Sequence, residues 1–484
     1  MRRTPFVAAA GLALVAPFLA TAAAPATADD PASPAFTLWA PQQVTAYSYG
    51  GNRTWTDLGL RVIAEGAPVE LWSTRASYDD PIETVWRSPD GDVPLPSGSM
   101  STFSGLDKFV KITVDPKKKG EKTFSLVRPG CLNSYSERVR PDAPARSPYP
   151  VGCWYNPYSL GSVQGIQTGW ATPVVGQDRP LRIGPGRYTV TASIRPSYAA
   201  VFGLSAEQAT RTTQLTVVDQ GDGEGRPTGT PSGRPTAKPA AHRPTGAPGR
   251  ADEAGPEPDL RSLPAWGISL SRNGKYLQFS ATVWNAGDSP LVVDGFRREG
   301  EDVMDAYQYF FDADGNQTGY QPVGEMEWDA RSSHQHWHFE DFARYSLLDA
   351  DQSEVARSKK EAFCLANTDS VDTTVPAADW RPENTDLSTS CGDYSSLSVR
   401  EVLVSGWGDT YTQYRAGQSF PVADLPNGTY YVAVKANPED RLVEETTDNN
   451  LSLRKIRLGG TPAHRTVKVP QVGIITEEGY GGVG

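Results

Sequence analysis

Short stretches in which apolar and polar residues alternate recur along the chain, each bounded by glycine, proline or asparagine. The alternation is clearest in "RYTVTASI" (187–194), "YLQFSATV" (276–283) and "TYYVAVKA" (429–436). A period of two sends successive side chains to opposite faces, so these segments predict half-buried β-strands. Convincing amphipathic helices are scarce. Short strands with frequent turns predict an all-β chain built from sandwich-like domains. "FDADGNQTGY" (311–320) has alternating carboxylates that would suit calcium, but its Asp-Gly and Asn content favours a hairpin turn.

The pattern stops over "GDGEGRPTGTPSGRPTAKPAAHRPTGAPGRADEAGPEP" (221–258), which has almost no apolar residues. Such a stretch cannot bury enough surface to offset its ordering entropy. It predicts a disordered Pro/Gly-rich linker over 219–257, between a β domain at 35–218 and a second at 258–460, with a tail at 461–484. The halves resemble each other. "FVKITVDPKKKGEKTFSLVRPGCLNSYS" (109–136) parallels "FARYSLLDADQSEVARSKKEAFCLANTDS" (342–370). Each continues to a second cysteine, a Gly-Trp (Gly169-Trp170; Gly406-Trp407) and a Gly-x-Tyr strand. This order of landmarks predicts a duplication.

The opening "MRRTPFVAAAGLALVAPFLATAAAPATADD" has two arginines, an apolar run and a small-residue cleavage signal at Ala26-Thr27-Ala28. It reads as a signal peptide, residues 1–28. No later stretch is apolar enough to span a bilayer. The expected location is extracellular, with attachment to a cell wall left open. Export permits disulfides. Four cysteines allow three pairings, and closing each local loop, Cys131–Cys153 and Cys364–Cys391, is the simplest. A net charge of −11 offers no basic footprint for nucleic acid and tolerates a cationic substrate.

Chemistry enters at "SSHQHWHFEDF" (332–342), which holds His334, His336 and His338 out of five histidines in the chain. On a helix, positions two apart diverge; on a strand, i, i+2 and i+4 share a face. An extended segment puts the outer Cα atoms roughly 13 Å apart, within reach of two imidazoles spanning one metal. A T-shaped set of three nitrogens with open positions suits Cu(II), whereas a closed zinc site wants a fourth ligand. Iron would need a carboxylate such as Glu340 or Glu361. The plain alternative is a polar strand face whose histidines touch only water.

From Pro258 to about Arg457 the chain resembles the catalytic domain of the lysyl oxidases. The matching motifs are "PDL" (258–260), "HQHWH" (334–338), "LLDA" (347–350), "KEAFCL" (360–365), "GWGDTY" (406–411), "NGTYYVAVKANP" (427–438) and "EETTDNN" (444–450), in that order. The resemblance implies a copper-dependent amine oxidase, with His334, His336 and His338 as copper ligands. Lys360 and Tyr411 match the lysine and tyrosine that copper and O₂ convert to the family's cofactor, lysine tyrosylquinone. Such an enzyme oxidises a primary amine, typically a peptidyl lysine, to an aldehyde and releases ammonia and peroxide. Asp409 is a candidate base for the substrate α-proton. The family's calcium ligands correspond to Asp259, the Leu260 carbonyl, Glu444, Asn449 and Asn450, an oxygen-only set suited to a hard cation.

The chain departs from the family in places. Ser333 stands where animal members have cysteine, and Thr446 where an acidic calcium ligand is expected. One residue is missing between His338 and "LLDA", and another between "LLDA" and the lysine, which leaves Lys359 as a rival to Lys360. In the first half, Ser101, Phe103 and Gly105 align with the histidines, Val127 with Lys360, and Val174 with Tyr411. This implies a non-catalytic copy serving binding or stability. Two other readings stand beside the oxidase: an exported copper-binding or structural protein without a quinone, and a non-haem iron oxygenase.

Overall fold

Residues 34–48, 52–118, 120–176, 179–219, 249, 255–298, 300–331, 335–358, 362–382, 387–412 and 418–477 are described by the structure, a computed structural model. The expected signal peptide, nearly all of the linker, His334, Lys359, Lys360 and Glu361 lie outside the described residues. Pro34–Gly484 forms one compact unit. As the alternation predicts, the described residues are all-β apart from two short helices, Pro196–Val201 and Ala206–Ala209. Among the described residues no helix is long and apolar enough to cross a membrane.

Twelve strands of each half follow the same order in three matching sheets, while the strands added at the edges differ: Gln43–Ser48 runs parallel to Thr210–Asp219, whereas His464–Lys468 runs antiparallel to Leu451–Thr461. The first half has a sheet ordered Phe36–Trp39, Arg61–Ala64, Trp170–Pro173, Glu137–Arg138. The second has Leu260–Ser262, Tyr276–Asn285, Trp407–Tyr411, Asp369–Ser370 in the same order. A further sheet runs Gly161–Ile166, Val69–Thr74, Glu83–Ser88, Gly91–Pro94, and its counterpart runs Ser398–Leu403, Leu291–Arg297, Val303–Phe311, Gln317–Asp329. The last pair is Phe124–Gly130, Leu106–Pro116, Gly186–Ile194, Thr210–Asp219 against Glu354–Arg357, Ala343–Leu348, Gly428–Ala436, Leu451–Thr461.

Even the register is kept. Val110 faces Ile194 and Val114 faces Val190; Ala343 faces Ala436 and Leu347 faces Val432. A one-residue slip would turn every core side chain outward, so matched register follows from matched hydrophobic alternation. Each half buries its own core, one built around Phe109, Ile112 and Val190, the other around Trp337, Phe363 and Val432.

The halves differ at sheet edges. The second half extends its Leu291–Arg297 sheet beyond Gln317–Asp329 by His336–Glu340 and Ala362–Phe363. The first half stops at Gly91–Pro94, and the positions aligned with the histidines fall in irregular chain before Leu106–Pro116. The segment expected as a tail contains a strand, His464–Lys468, paired with Leu451–Thr461. Gly249, within the segment expected as a linker, exchanges two backbone hydrogen bonds with Tyr320. That pairing uses main-chain groups only, which is why side-chain composition gave no sign of it.

The halves also pack against each other. Leu160 N–H donates to Val371 C=O at 2.7 Å, Val163 N–H to Thr373 Oγ1 at 2.8 Å, and Tyr149 stacks on Trp380. Gly161 lies against Asp372, where a Cβ would come within 2.1 Å of a carboxylate oxygen. Tyr158, Trp266, Trp284 and Ile475 fill the seam with a shared apolar cluster. Glu477 ties three elements there, accepting from the Tyr158 hydroxyl, the Gly267 N–H and Arg454.

Candidate metal centre and its surroundings

Strand His336–Glu340 is held on both sides. It pairs antiparallel with Gln317–Asp329, matching Asp329 to His336 and Glu327 to His338. On its other side Phe339 faces Phe363 and Glu340 faces Ala362. Trp337 and Phe339 are buried in the core, which sends the intervening His338 to the opposite face. Trp337 anchors the strand: its indole N–H donates to Asp393 C=O at 2.9 Å, its backbone N–H donates to Cys391 C=O, and the Arg297 guanidinium lies 5.2 Å over its ring.

The two described histidines of the trio, His336 and His338, converge. Their Nε2 atoms are 2.9 Å apart, with the rings tilted 76° to each other. Two nitrogens each about 2.05 Å from one metal, at right angles, are separated by about 2.9 Å. The pair therefore fits two adjacent positions on a first-row ion. The strand begins at His336 and Gln335 has φ +38°, so the extended run does not continue back through Gln335; His334 lies outside the described residues. Beside it, Arg331 N–H donates to Asp329 Oδ1 and Gln335 N–H to Arg331 C=O.

Asp329 is the residue that the motif alone does not reveal. Its buried carboxylate lies 3.5 Å from His338 Nδ1, the nitrogen turned away from His336. A carboxylate in that position fixes ring orientation and raises the basicity of the ligating nitrogen. Burial pushes the Asp329 carboxyl up, but hydrogen bonds and charge from Arg331, with His338 adding, outweigh it and hold the group well below the usual range. Hairpin register, pairing Asp329 with His336, is the signal that could have found it. Glu340 follows His338 on the same face, and burial, then Glu327, Asp341 and Glu325, push its carboxyl up.

Tyr411 approaches this edge from another sheet. It ends strand Trp407–Tyr411, faces Ala281, and packs edge-on to Phe363 with ring centroids 4.7 Å apart. Its hydroxyl donates to Cys364 C=O at 3.0 Å. Since Phe363 pairs with Phe339, the phenol bonds to the chain immediately beside the histidine strand. Lys360 lies two residues before Ala362 in sequence, outside the described residues. Burial, then Asp409, Glu401 and Tyr345, push the Tyr411 hydroxyl well above its usual value. Asp409 is buried on the same side of its strand as Tyr411, and its charge bears on both Tyr345 and Tyr411.

The disulfides join Cys131 to Cys153 and Cys364 to Cys391. The second staples the site: Cys364 carries the carbonyl that holds Tyr411, and Cys391 the one that holds Trp337. Both sulfurs approach Glu401, but the disulfide withdraws them from any metal. The Glu401 carboxylate accepts the Leu365 N–H.

The expected calcium residues do come together. Glu444 accepts from Leu260 N–H at 2.8 Å and from the amides of Asn437 at 2.7 Å and Asn450 at 2.8 Å. Asp259 accepts from Asn449 Nδ2 at 2.8 Å and pairs with Arg261 at 2.6 Å. The cluster thus ties strand Leu260–Ser262 to the 444–450 turn by side-chain bonds. Asn437 is its hub, with φ +42°. The amide oxygens of Asn449 and Asn450 are buried without a hydrogen-bond partner among the described residues. The other calcium-like segment, 311–320, is a hairpin turn closed by Asp312, which accepts the N–H groups of Asp314 and Asn316.

In the first half, Phe103 and Val174 are buried and Val127 is exposed at the positions aligned with His336, Tyr411 and Lys360. None offers an imidazole, phenol or amine.

Residues 312–467 match the model of the lysyl oxidase family. Two curated relatives, both described as Lysyl oxidase homolog 2, come from Gallus gallus and Bos taurus. They are 27% and 25% identical over 146 residues, 30% of this chain. The match covers 17% of the length of each relative.

Proposed function

We propose, from the match of residues 312–467 to the lysyl oxidase family model, that the protein is an exported copper amine oxidase. It would convert primary amines, including peptidyl-lysine side chains, to aldehydes, with O₂ as oxidant and ammonia and peroxide as products. His334, His336 and His338 would hold the copper, and Lys360 and Tyr411 would supply lysine tyrosylquinone. The observation that carries this reading is the Nε2 separation of 2.9 Å between His336 and His338, on a strand whose neighbour bonds to the Tyr411 phenol. Held by the histidines, copper would supply, with O₂ as oxidant, the chemistry that converts a tyrosine to a quinone, and the quinone would supply an electrophile for the substrate amine.

The remaining work falls to the chain. Asp329 orients His338. The Cys364 carbonyl and Phe363 hold the ring of Tyr411, whose hydroxyl stays protonated until a nearby cation favours the phenolate. The fully buried Phe363 packs against one side of the ring. Asp409, beside Tyr411 on a buried face, is the carboxylate available to take a proton from a bound amine's α-carbon.

Peptide mapping of copper-loaded protein, with metal analysis of the same sample, tests the reading. A Lys360–Tyr411 crosslink and copper near one per chain are expected. Copper without the crosslink would leave a metal-binding protein; iron in its place would favour an oxygenase; a Lys359 crosslink would reassign the lysine.

A calcium ion at Asp259, Leu260, Glu444, Asn449 and Asn450 is the second part of the proposal. The two orphaned amide oxygens favour it, because amides turned over would offer those oxygens to a cation. Arg261 competes for Asp259, so binding should be weak and visible as a rise in melting temperature on adding calcium.

A further inference from the structure

The strand that carries Tyr411 has two faces. Trp407, Asp409 and Tyr411 alternate with Gly408 and Thr410, so Thr410 points away from the phenol. Behind the strand, Thr410 faces Thr282 across the sheet, their hydroxyls 2.6 Å apart. Thr410 also donates to the buried carboxylate of Asp369, on the neighbouring strand Asp369–Ser370.

The residue that closes this cluster comes from the first half of the chain. Asn156 is fully buried, and its amide Nδ2 donates to Thr282 Oγ1 at 2.9 Å and to Asp369 Oδ2 at 3.3 Å. Its own Oδ1 accepts from Tyr158 N–H at 3.0 Å, and its backbone N–H donates to Ser159 Oγ, so the side chain has no freedom to turn. The adjoining segment continues the contact: Ser159 Oγ donates to Ser370 C=O at 2.6 Å, and Leu160 N–H to Val371 C=O. Strand Asp369–Ser370 is therefore clamped between the first half and the tyrosine strand.

We propose that Asn156 is a positioning residue for Tyr411: through Asp369, Thr282 and Thr410 the first half fixes the strand on which the tyrosine must meet its copper and lysine partners. The inert copy is thus a buttress for cofactor formation in the other half. The crosslinking consequence rests on the oxidase reading above; the mechanical one does not.

Full-length protein carrying Asn156→Ala, Thr410→Val, Thr410→Ser or Tyr158→Phe would be compared with wild type in two measurements. The first is the fraction of Tyr411 recovered crosslinked after copper loading. The second is hydrogen exchange in the peptide spanning 407–411. Asn156→Ala and Thr410→Val should lower the crosslinked fraction several-fold and speed exchange about tenfold, the effect of removing a buried hydrogen bond on a local opening. Thr410→Ser keeps the hydroxyl and should behave as wild type. Tyr158→Phe weakens the same seam at Glu477 and should leave both readouts within twofold. Unchanged exchange and crosslinking in Asn156→Ala would overturn the proposal, as would equal losses in Tyr158→Phe, which would mark general undocking. Should Asn156→Ala fail to fold, the Thr410 pair decides. If wild type itself forms no crosslink, the oxidase reading fails while exchange still reports on the buttress.

Discussion

Asp369 gives the most quantitative test of the seam. Burial pushes its carboxyl up from 3.8 to about 6, against the opposing hydrogen bonds from Thr410 and Asn156. The folded state therefore holds a proton that the unfolded chain releases between those values. By linkage, the group's favourable contribution is fully present below pH 3.8 and is lost as pH rises through about 6. A shift of roughly two units corresponds to about 3 kcal/mol. Asp369→Asn keeps the shape and removes the charge. Relative to wild type, the variant should gain up to about 3 kcal/mol of stability on going from pH 4 to pH 7.5, superposed on a pH-independent loss of about 1 kcal/mol for a weakened acceptor. Chemical denaturation of both proteins at half-unit intervals of pH would measure the difference, and subtraction removes the other titrating carboxyls. A difference that stays flat between pH 4 and 7.5 would refute the idea that this carboxylate is buried at a cost, and with it the tight docking of the two halves.

Further expectations concern the site. Asp329→Asn should weaken copper binding by about 10–100-fold without unfolding the protein, read by competition with a chelator. Tyr411→Phe should abolish quinone redox staining and peroxide release with a lysyl peptide, while costing only about 1 kcal/mol of stability for the lost bond to Cys364. Trp337→Ala should lower stability by about 3–5 kcal/mol and release the histidine strand, so its loss of copper should track its loss of fold. Gly161→Ala should loosen the seam, because its methyl group collides with Asp372; limited proteolysis between the halves would report it.

Local signals were legible in the chain and long-range ones were not. Alternation in "YLQFSATV" and "TYYVAVKA" marked two central strands, because a strand buried on one face writes its period into the sequence. The landmarks around Phe109 and Phe342 pointed to two copies, and the matched pairings of Val110 with Ile194 and Ala343 with Ala436 agree. His336 and His338 were readable as a pair by spacing. Gln335 was not, since a left-handed residue inside a tight return leaves no compositional mark unless it is glycine or asparagine. Asp329 escaped because its role depends on hairpin register, and Asn156 because its partners lie more than a hundred positions away. A polar residue in a loop looks the same whether it meets water or closes a buried cluster.

The two additional edge strands of the second half, His336–Glu340 and Ala362–Phe363, have a bearing on how such a molecule can change over time. Reactivity mounted on a rim can be acquired or discarded while the interior remains as it was. A twin stripped of that rim keeps its shape, and so stays available for mechanical duty beside its reactive sibling.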